Sequence, residues 1–325
     1  MTKAPERRFC VAPMLDWTDS HCRYLMRLIS QHALLYTEMI TTGALLRGDA
    51  ARWLAFNPEE HPLALQLGGS DPGELARCAR LAEQWGYDEI NLNCGCPSDR
   101  VQNGRFGACL MAEPGLVADC LKAMQDATTI PVTIKCRIGI DQQEGYEPFR
   151  DFIATVITRS ACQTVIVHAR KAWLQGLSPK ENREIPPLHY DYVYRLKQEM
   201  PELEVILNGG ITSLEQGLEH IQHVDGIMMG REAYQNPFIL SEVDRLFFDD
   251  QHPATTRATV SQQFMQYCGE QMARGTKLHH LTRHLLGLYH EVPGARRFRR
   301  HLSENAHRPD AGIDVLTEAL GKITL

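Results

Sequence analysis

The sequence has no long apolar run, and this absence bears first on membranes. A helix that spans a bilayer needs about 20 consecutive apolar residues, and no segment of the 325 residues approaches that length. The first residues, Met1 to Arg8, are polar, and no signal-peptide-like apolar segment follows them. We therefore expect a cytoplasmic protein with no membrane partner.

A second pair of closely spaced cysteines is also missing. Cys94 and Cys96 form one C-x-C motif, but a structural zinc site needs four ligands. The ten cysteines are otherwise scattered, several of them inside apolar segments, where cysteine packs as a small hydrophobic residue. The sequence thus predicts a reducing compartment and no bound structural metal.

Eight short apolar segments recur along the chain, with amphipathic stretches of helical period between most of them. They begin at Phe9, Leu34, Pro62, Glu89, Pro131, Thr164, Glu204 and Gly226. Alternating β and α units predict a parallel sheet, because parallel neighbours need a crossover connection. The G-x-G-x-x-G fingerprint of an open doubly wound sheet is absent after the first segment. We therefore favour an α/β fold of the (β/α)8 TIM-barrel type over the open sheet.

The strand pattern stops at about Phe238, and helical patterns separated by glycine and proline follow. We predict a TIM-barrel domain at residues 1–240 and a small all-helical C-terminal domain at residues 241–325. No flexible linker separates them, so the helical domain is expected to pack directly on the barrel.

Charge is distributed unevenly between these two parts. Residues 255–309 contain nine basic and three acidic residues, a net charge of +6, which leaves −12 elsewhere because the whole chain carries −6. A basic module on an acidic body is typical of a protein that binds nucleic acid. A solvated helix face explains the same charge equally well.

Polar residues at the strand ends indicate where the chemistry lies, because barrel enzymes place their active sites at the C-terminal face. Side chains alternate along a strand, so the polar set should point into the barrel or its mouth and the apolar set toward the outer helices. The predicted inward set comprises Gln66, Asn91, Asn93, Thr133, Lys135, Arg137, His168 and Arg170.

Two glycine motifs predict a phosphate site at this face. Asn208, Gly209 and Gly210 end the seventh strand, and Gly230 with Arg231 follows the eighth. Loops seven and eight form the recurrent phosphate site of such barrels, and glycine lets backbone N–H groups approach an anion. Each motif alone suits a tight turn equally well.

Cys96 is the predicted reactive residue. It follows Gly95 and precedes Pro97 on a loop at the mouth, where a thiol can donate a proton to carbon. Cys94 belongs to the outward-facing set and is predicted to pack, and Cys109 is also given a structural interpretation.

Long motifs across the whole chain resemble tRNA-dihydrouridine synthases of the DusA branch. They include APMLDWTD, EINLNCGCPSDRVQNGRFGACL, PVTIKCRIGI, HARKAWLQGLSPKENREIPPL, DGIMMGREAYQNP and PGARRFRRHLSENAH. The resemblance implies a flavin mononucleotide (FMN) protein that reduces the C5–C6 double bond of uridine in the tRNA D-loop at positions 20 and 20a. NADPH is the implied reductant and tRNA the implied partner, and no obligate protein partner is indicated.

The resemblance also implies residue roles. FMN would contact Pro13, Met14, Gln66, Lys135 and His168, with its phosphate on Asn208, Gly209, Gly210, Gly230 and Arg231. Hydride would pass from N5 of the reduced flavin to C6 of the base, and Cys96 would supply the proton to C5. Asn93, Lys135, His168 and Arg183 would hold the uracil, while Lys180, Arg183, Arg296 and Arg299 would contact tRNA.

Two other functions share part of this pattern. A small-molecule flavin enzyme of the dihydroorotate or dihydropyrimidine dehydrogenase kind has the same barrel and cofactor, but a free base has no use for the basic helical segment. A tRNA-binding protein that keeps the barrel only as a scaffold would have no use for Cys96.

Overall fold

The structure is a computed structural model, in which residues 4–324 are described. Eight strands form the inner layer: β1 (Phe9–Val11), β2 (Leu34–Thr41), β3 (Leu63–Gly68), β4 (Glu89–Cys94), β5 (Val132–Arg137), β6 (Thr164–His168), β7 (Glu204–Asn208) and β8 (Gly226–Met229). All neighbours pair in parallel, and β1 pairs with β8 to close the barrel. The predicted TIM barrel is confirmed.

Helices follow the strands on the outside. Those of the barrel are α1 (Ser20–Arg27), α2 (Thr42–Arg47), α3 (Ala50–Leu54), α4 (Pro72–Trp85), α5 (Asp99–Asn103), α6 (Pro114–Gln125), α7 (Tyr146–Ser160), α8 (Tyr190–Glu199), α9 (Leu214–Ile221), α10 (Arg231–Gln235) and α11 (Val243–Phe248). Asp71 illustrates how they begin, since its side chain accepts the N–H of Glu74 and Pro72 occupies the first turn of α4. None of the helices in residues 4–324 combines the length and apolar character needed to cross a membrane.

Four further α-helices form the C-terminal region: α12 (Arg257–Ala273), α13 (Leu278–Thr282), α14 (Ala295–Asn305) and α15 (Ile313–Leu320). The ring of Tyr267 on α12 stacks on Tyr24 of α1 with centroids 3.9 Å apart. Arg283 Nη2 donates to Asp19 Oδ2 at 2.5 Å, and His284 Nε2 lies 3.0 Å from Asp19 Oδ1. The expectation that the helical region packs directly on the barrel is confirmed.

The segment around residue 240 stays close to the barrel. The Phe247 ring of α11 packs on Phe9 of β1 with centroids 5.1 Å apart, and Ser30 Oγ donates to Asp244 Oδ1 at 2.5 Å. Residues 249–256, which have neither helix nor strand, then lead to α12. The domain division at residue 240 stays a prediction, and these contacts favour a boundary after Phe248.

A buried ion pair lies at the end of the barrel opposite the mouth. Arg7 Nε donates to Glu89 Oε2 at 2.6 Å, and both side chains are almost wholly buried. Glu89 Oε1 also accepts from Tyr36 Oη and Thr133 Oγ1, each at 2.6 Å. A buried carboxylate needs such partners, because burial without them strongly disfavours the charge.

Replacing Glu89 with Gln should therefore destabilise the protein. Within residues 4–324, the change leaves Arg7 with Glu204 as its one carboxylate partner, and the Glu204 side chain is 32 % exposed. Breaking a buried ion pair costs about 3 kcal/mol, and urea unfolding should show a loss of that order in the free energy of unfolding. Glu202→Gln, at an exposed position, is the control and should change it by less than about 0.5 kcal/mol. Equal stability of the two variants would contradict the structural role of Glu89.

Candidate active site

The interior of the barrel is divided between apolar and polar side chains. Eight buried residues form an apolar cluster of their own: Cys10, Ala12, Leu34, Tyr36, Ala64, Ile166, Ile206 and Met228. The outward-facing residues of β4 and β5, including Leu92, Cys94, Ile134 and Cys136, belong instead to the large core shared with the helices. The predicted alternation, and with it the packing role of Cys94, is confirmed.

A chain of hydrogen bonds runs from Glu89 toward the mouth through the buried polar residues. Thr133 Oγ1 donates to Glu89 and accepts from Asn91 Nδ2 at 2.8 Å. Asn91 Oδ1 accepts from Gln66 Nε2 at 2.8 Å, and Gln66 Oε1 accepts from Asn93 Nδ2 at 2.9 Å. Each amide is thereby held in one orientation, because a flipped amide would place two donors or two acceptors together.

This chain ends on the loop that carries Cys96. Asn93 Oδ1 accepts the N–H groups of Gly95 at 3.1 Å and of Cys96 at 3.0 Å. The Cys96 carbonyl accepts from Ala108 N at 2.9 Å, next to Gly107, whose φ of +76° and whose close approach to the Cys96 carbonyl leave no room for a side chain. The thiol is partly exposed, with Ser98 Oγ at 3.5 Å. Asn93 thus fixes the backbone of Cys96.

Arg137 fixes the same loop from its other side. Its Nε donates to the Gly95 carbonyl at 2.9 Å, and its Nη1 donates to the carbonyls of Lys171 at 3.1 Å and Asn182 at 2.9 Å. Burial lowers the pKa of Arg137 to about 10, so the guanidinium stays charged at neutral pH. It joins the loop after β4 to the loop after β6.

Lys135 and His168 point into the mouth from β5 and β6. Lys135 Nζ donates to Asn208 Oδ1 at 2.8 Å, and Asn208 Nδ2 donates to the Met228 carbonyl at 2.7 Å. Burial, with repulsion from Arg137, lowers the pKa of Lys135 to about 8. Burial and the cations Arg137 and Lys135 hold the pKa of His168 well below its usual range. The imidazole is therefore neutral and offers one donor and one acceptor.

The glycine turns lie beside these residues. Gly209 has a φ of +112°, and a side chain there would collide with the His168 ring, while Gly210 has a φ of +74°. Among the described residues, the N–H groups of Gly209, Gly210 and Gly230 donate no hydrogen bond to a backbone carbonyl of a turn or loop. Donors of this kind on glycine turns suit an anion.

Two arginines add positive charge near these turns. Arg231 begins α10 and forms an exposed ion pair with Glu184, Nη1 to Oε1 at 2.7 Å. Arg170 lies close enough to Arg231 for the two charges to repel, which together with burial lowers the pKa of Arg170. Its buried Nε has no hydrogen-bond partner within residues 4–324. A buried guanidinium nitrogen without an acceptor is costly and suits a bound anion.

The remaining predicted residues lie on three parts of the chain. Met14, after β1, packs on the apolar cluster inside the barrel beside Pro13. Lys180 and Arg183 are exposed on the loop after β6, and Arg183 lies within electrostatic range of Cys96. Arg296 and Arg299 are exposed on α14, which packs on α15. The structure brings the barrel residues together at the mouth, whereas Arg296 and Arg299 lie on a helix of the C-terminal region.

Sequence reasoning placed Arg137 and Arg170 on the inward face without giving either a role. It also passed over Asn182, whose buried amide bonds the backbone of Trp173 through Oδ1 and Nδ2. Inward alternation was the available signal for the two arginines, whereas no sequence pattern marks a loop asparagine that bonds backbone.

Fold and site together define a barrel with a cationic mouth, two glycine turns beside it and a cysteine whose backbone is held by hydrogen bonds. The family described as "Dihydrouridine synthase (Dus)" matches residues 10–324. The chain belongs to this family, whose members are oxidoreductases that act on tRNA, so the resemblance seen in the sequence is confirmed.

Individual relatives agree with this assignment. The chain is 60% identical to the tRNA-dihydrouridine(20/20a) synthase of Escherichia coli (strain K12) over 313 residues, 96% of this chain and 90% of that one. It is 58% identical to the protein of that name from Yersinia pestis over 320 residues, 98% and 92% of the two chains. A solved 2-naphthoyl-CoA reductase complex shares the fold, with a TM-score of 0.57 and 10% identity over 73% of this chain and 49% of that one.

The burial of Lys135 predicts a pH effect on stability in the flavin-free protein. Its pKa is about 8 in the folded state, below the ordinary value of 10.5, so below pH 8 the folded protein must keep a buried ammonium. Lys135→Met should raise the free energy of unfolding at pH 7 by about 2 kcal/mol. The gain should shrink as pH rises from 8 to 10.5, where the folded wild type has released the proton. Urea unfolding across pH measures this, and a gain independent of pH would contradict it.

Proposed function

We propose that this protein reduces the C5–C6 double bond of uridine in the D-loop of tRNA to give 5,6-dihydrouridine, with FMN as cofactor and NADPH as reductant. The observation that carries the proposal is the position of Cys96, whose loop is held by Asn93 and Arg137 at a cationic mouth. The names of the relatives support positions 20 and 20a as the sites of modification.

The residues at the mouth fit FMN. Its phosphate would take the N–H groups of Gly209, Gly210 and Gly230 together with Arg231, and the partnerless Nε of Arg170 supports an anion there. Pro13, Met14 and Gln66 would lie against the ring system, and one N–H of the Gln66 amide is left for it beyond its bond to Asn91. Asn208 belongs to the same site through its bond to Lys135.

When bound, reduced FMN supplies the hydride that adds to C6 of the base, and NADPH supplies its electrons. Cys96 gives its thiol proton to C5, so that one hydride and one proton together saturate the double bond. The thiol must stay protonated until that step. Hydrogen bonds with Asn93 and Arg137 hold the backbone that carries the thiol, so only rotation of the Cys96 side chain moves the sulfur, which favours proton transfer.

Charge that develops on the uracil oxygens needs donors close by. Lys135 supplies a cation, neutral His168 a ring N–H, and Arg183 a guanidinium within electrostatic range of Cys96. Asn93 already bonds Gln66, Gly95 and Cys96 and has one amide N–H left for the base. We assign it a positioning role for Cys96 in addition to a contact with uracil.

The tRNA chain would cross two basic surfaces. Lys180 and Arg183 flank the mouth, and Arg296 and Arg299 lie exposed on α14. Among the described residues, neither Arg296 nor Arg299 forms an ion pair or a side-chain hydrogen bond, in contrast to Arg300, which pairs with Glu304 at 2.7 Å. Guanidinium groups of this kind are available to phosphates.

Replacing Cys96 with Ala should separate the two halves of the reaction. We expect dihydrouridine formation to fall by at least about 100-fold, the usual contribution of a general acid. The yellow flavin spectrum and NADPH oxidation by oxygen should remain, because the phosphate turns and Lys135 are unchanged. Cys109→Ala is the matched control, a partly buried thiol bonded to the Phe106 carbonyl. A Cys96→Ala enzyme as active as the Cys109→Ala enzyme would exclude the role.

The double variant Arg296→Ala with Arg299→Ala should weaken tRNA binding and flatten its salt dependence. Each lost phosphate contact lowers the slope of log affinity against log salt by about one unit, so a change of about two is expected. Arg77→Ala with Arg80→Ala, two exposed arginines at the same spacing on α4, is the control. Filter binding at several salt concentrations measures both. An unchanged slope would remove α14 from the RNA-binding surface.

A further inference from the structure

A cavity of about 240 Å³ lies between the loops that follow β5 and β6 and the start of α8. None of the residues assigned above to FMN, uracil or tRNA lines it. Its walls include Trp173, His189, Tyr192 and the two prolines Pro186 and Pro187, with Lys171 and Glu144 among its polar groups. A mostly flat and apolar lining with a few polar groups is typical of a ligand site.

The walls present flat faces at fixed orientations. The rings of His189 and Tyr192 stack with centroids 4.8 Å apart and an angle of 16°. Lys171 Nζ lies 4.2 Å from the centre of the Trp173 ring and pairs with Glu144. Flat aromatic faces beside a cation favour a nucleobase, which stacks on such rings. The Glu144 side chain, 72 % exposed, can accept two neighbouring N–H groups, as a guanine edge presents them.

The cavity is coupled directly to the Cys96 loop. The Arg137 guanidinium donates to the carbonyl of Gly95, next to Cys96, and to the carbonyl of Lys171 in the cavity wall. The Arg137 side chain therefore bonds both the loop that carries Cys96 and the wall of the cavity. The buried amide of Asn182 holds Trp173 through both its backbone N–H and its carbonyl, at 2.8 and 2.9 Å. Arg183, which is proposed to contact the uracil, directly follows Asn182 in the sequence.

We propose that this cavity binds an unpaired purine nucleotide of the substrate RNA, close to the reacting uridine, by stacking on Trp173. The proposal rests on the proposed function, since it takes RNA as the substrate. The volume lies below the roughly 300–1,000 Å³ of sites for drug-sized ligands and suits one nucleobase. The same loop offers Lys180 and Arg183 for phosphates, so an RNA chain can place its backbone on these cations and one base in the cavity.

Trp173→Leu tests the proposal. Removal of one stacking platform should raise both the Kd for tRNA and the KM for tRNA by about 5- to 100-fold. We expect kcat to change by less than about two-fold, and the salt slope of binding to stay the same because no phosphate contact is lost. Trp85→Leu, at a Trp that is 39% exposed at the end of α4, is the matched control and should leave all four quantities unchanged.

Substrate tRNAs in which single nucleotides next to the reacting uridine are abasic identify the occupant. For one such tRNA, the wild type should bind as weakly as Trp173→Leu binds intact tRNA, and the two changes together should weaken binding no further. If the loss of tRNA affinity from each abasic position added to the loss from Trp173→Leu, the proposal would be overturned. A raised KM for NADPH with unchanged tRNA affinity would also overturn it, because the cavity would then hold the adenine of the dinucleotide.

Two further variants guard against a folding defect. Trp173→Phe keeps an aromatic face and should restore most of the tRNA affinity. Glu144→Gln removes an exposed carboxylate and its ion pair with Lys171, and it should weaken binding of the intact tRNA. Thermal unfolding followed by circular dichroism verifies that each variant is folded. A wild type that makes no dihydrouridine in any tRNA would refute the proposed function. An active wild type with Trp173→Leu equal to Trp85→Leu would refute only the purine site.

Discussion

The site depends on one constraint, which is that polar side chains inside a closed barrel must satisfy one another. A single chain of hydrogen bonds satisfies them and ends on the N–H of Cys96. It runs through Glu89, Thr133, Asn91, Gln66 and Asn93. Because each amide is fixed by its neighbours, the orientation of Asn93 is set from the far end of the barrel. The ion pair between Arg7 and Glu89 and the placement of the thiol are therefore parts of one network.

Arg137 connects the Cys96 loop, where this network ends, to the loop that follows β6. Its guanidinium bonds three carbonyls, one beside Cys96 and two in the long loop after β6. A loop of that length would otherwise be expected to move independently of the strand ends. With Arg137 and Asn182 in place, the loop that carries Trp173, Lys180 and Arg183 is tied to the same frame as the thiol, which is what a preorganised site requires.

Much of this could be predicted from sequence. Periodicity gave the eight strands, and alternation correctly assigned Asn93, Lys135 and His168 inward and Cys94 outward, because one face of each strand meets the helices and must be apolar. The hydrogen-bond chain could not be predicted, since it depends on the register between strands, such as Asn91 opposite Gln66 and Thr133. The packing of α11 on Phe9 could not be predicted either, because the sequence of a short helix does not indicate which residues it contacts.

The contact of Asp19 with Arg283 and His284 links the barrel to the C-terminal helices. Burial alone would raise the pKa of Asp19, but hydrogen bonds from His284 and Arg283 outweigh that effect and hold it below the usual range. Asp19 follows Pro13 and Met14 closely in the sequence. Tyr24, five residues after Asp19, stacks on Tyr267 of α12. The C-terminal helical region is thus joined to the barrel beside the mouth by an ion pair and a ring stack. A nucleic acid that contacted both α14 and the mouth would therefore bridge two parts of the chain that are already joined by an ion pair.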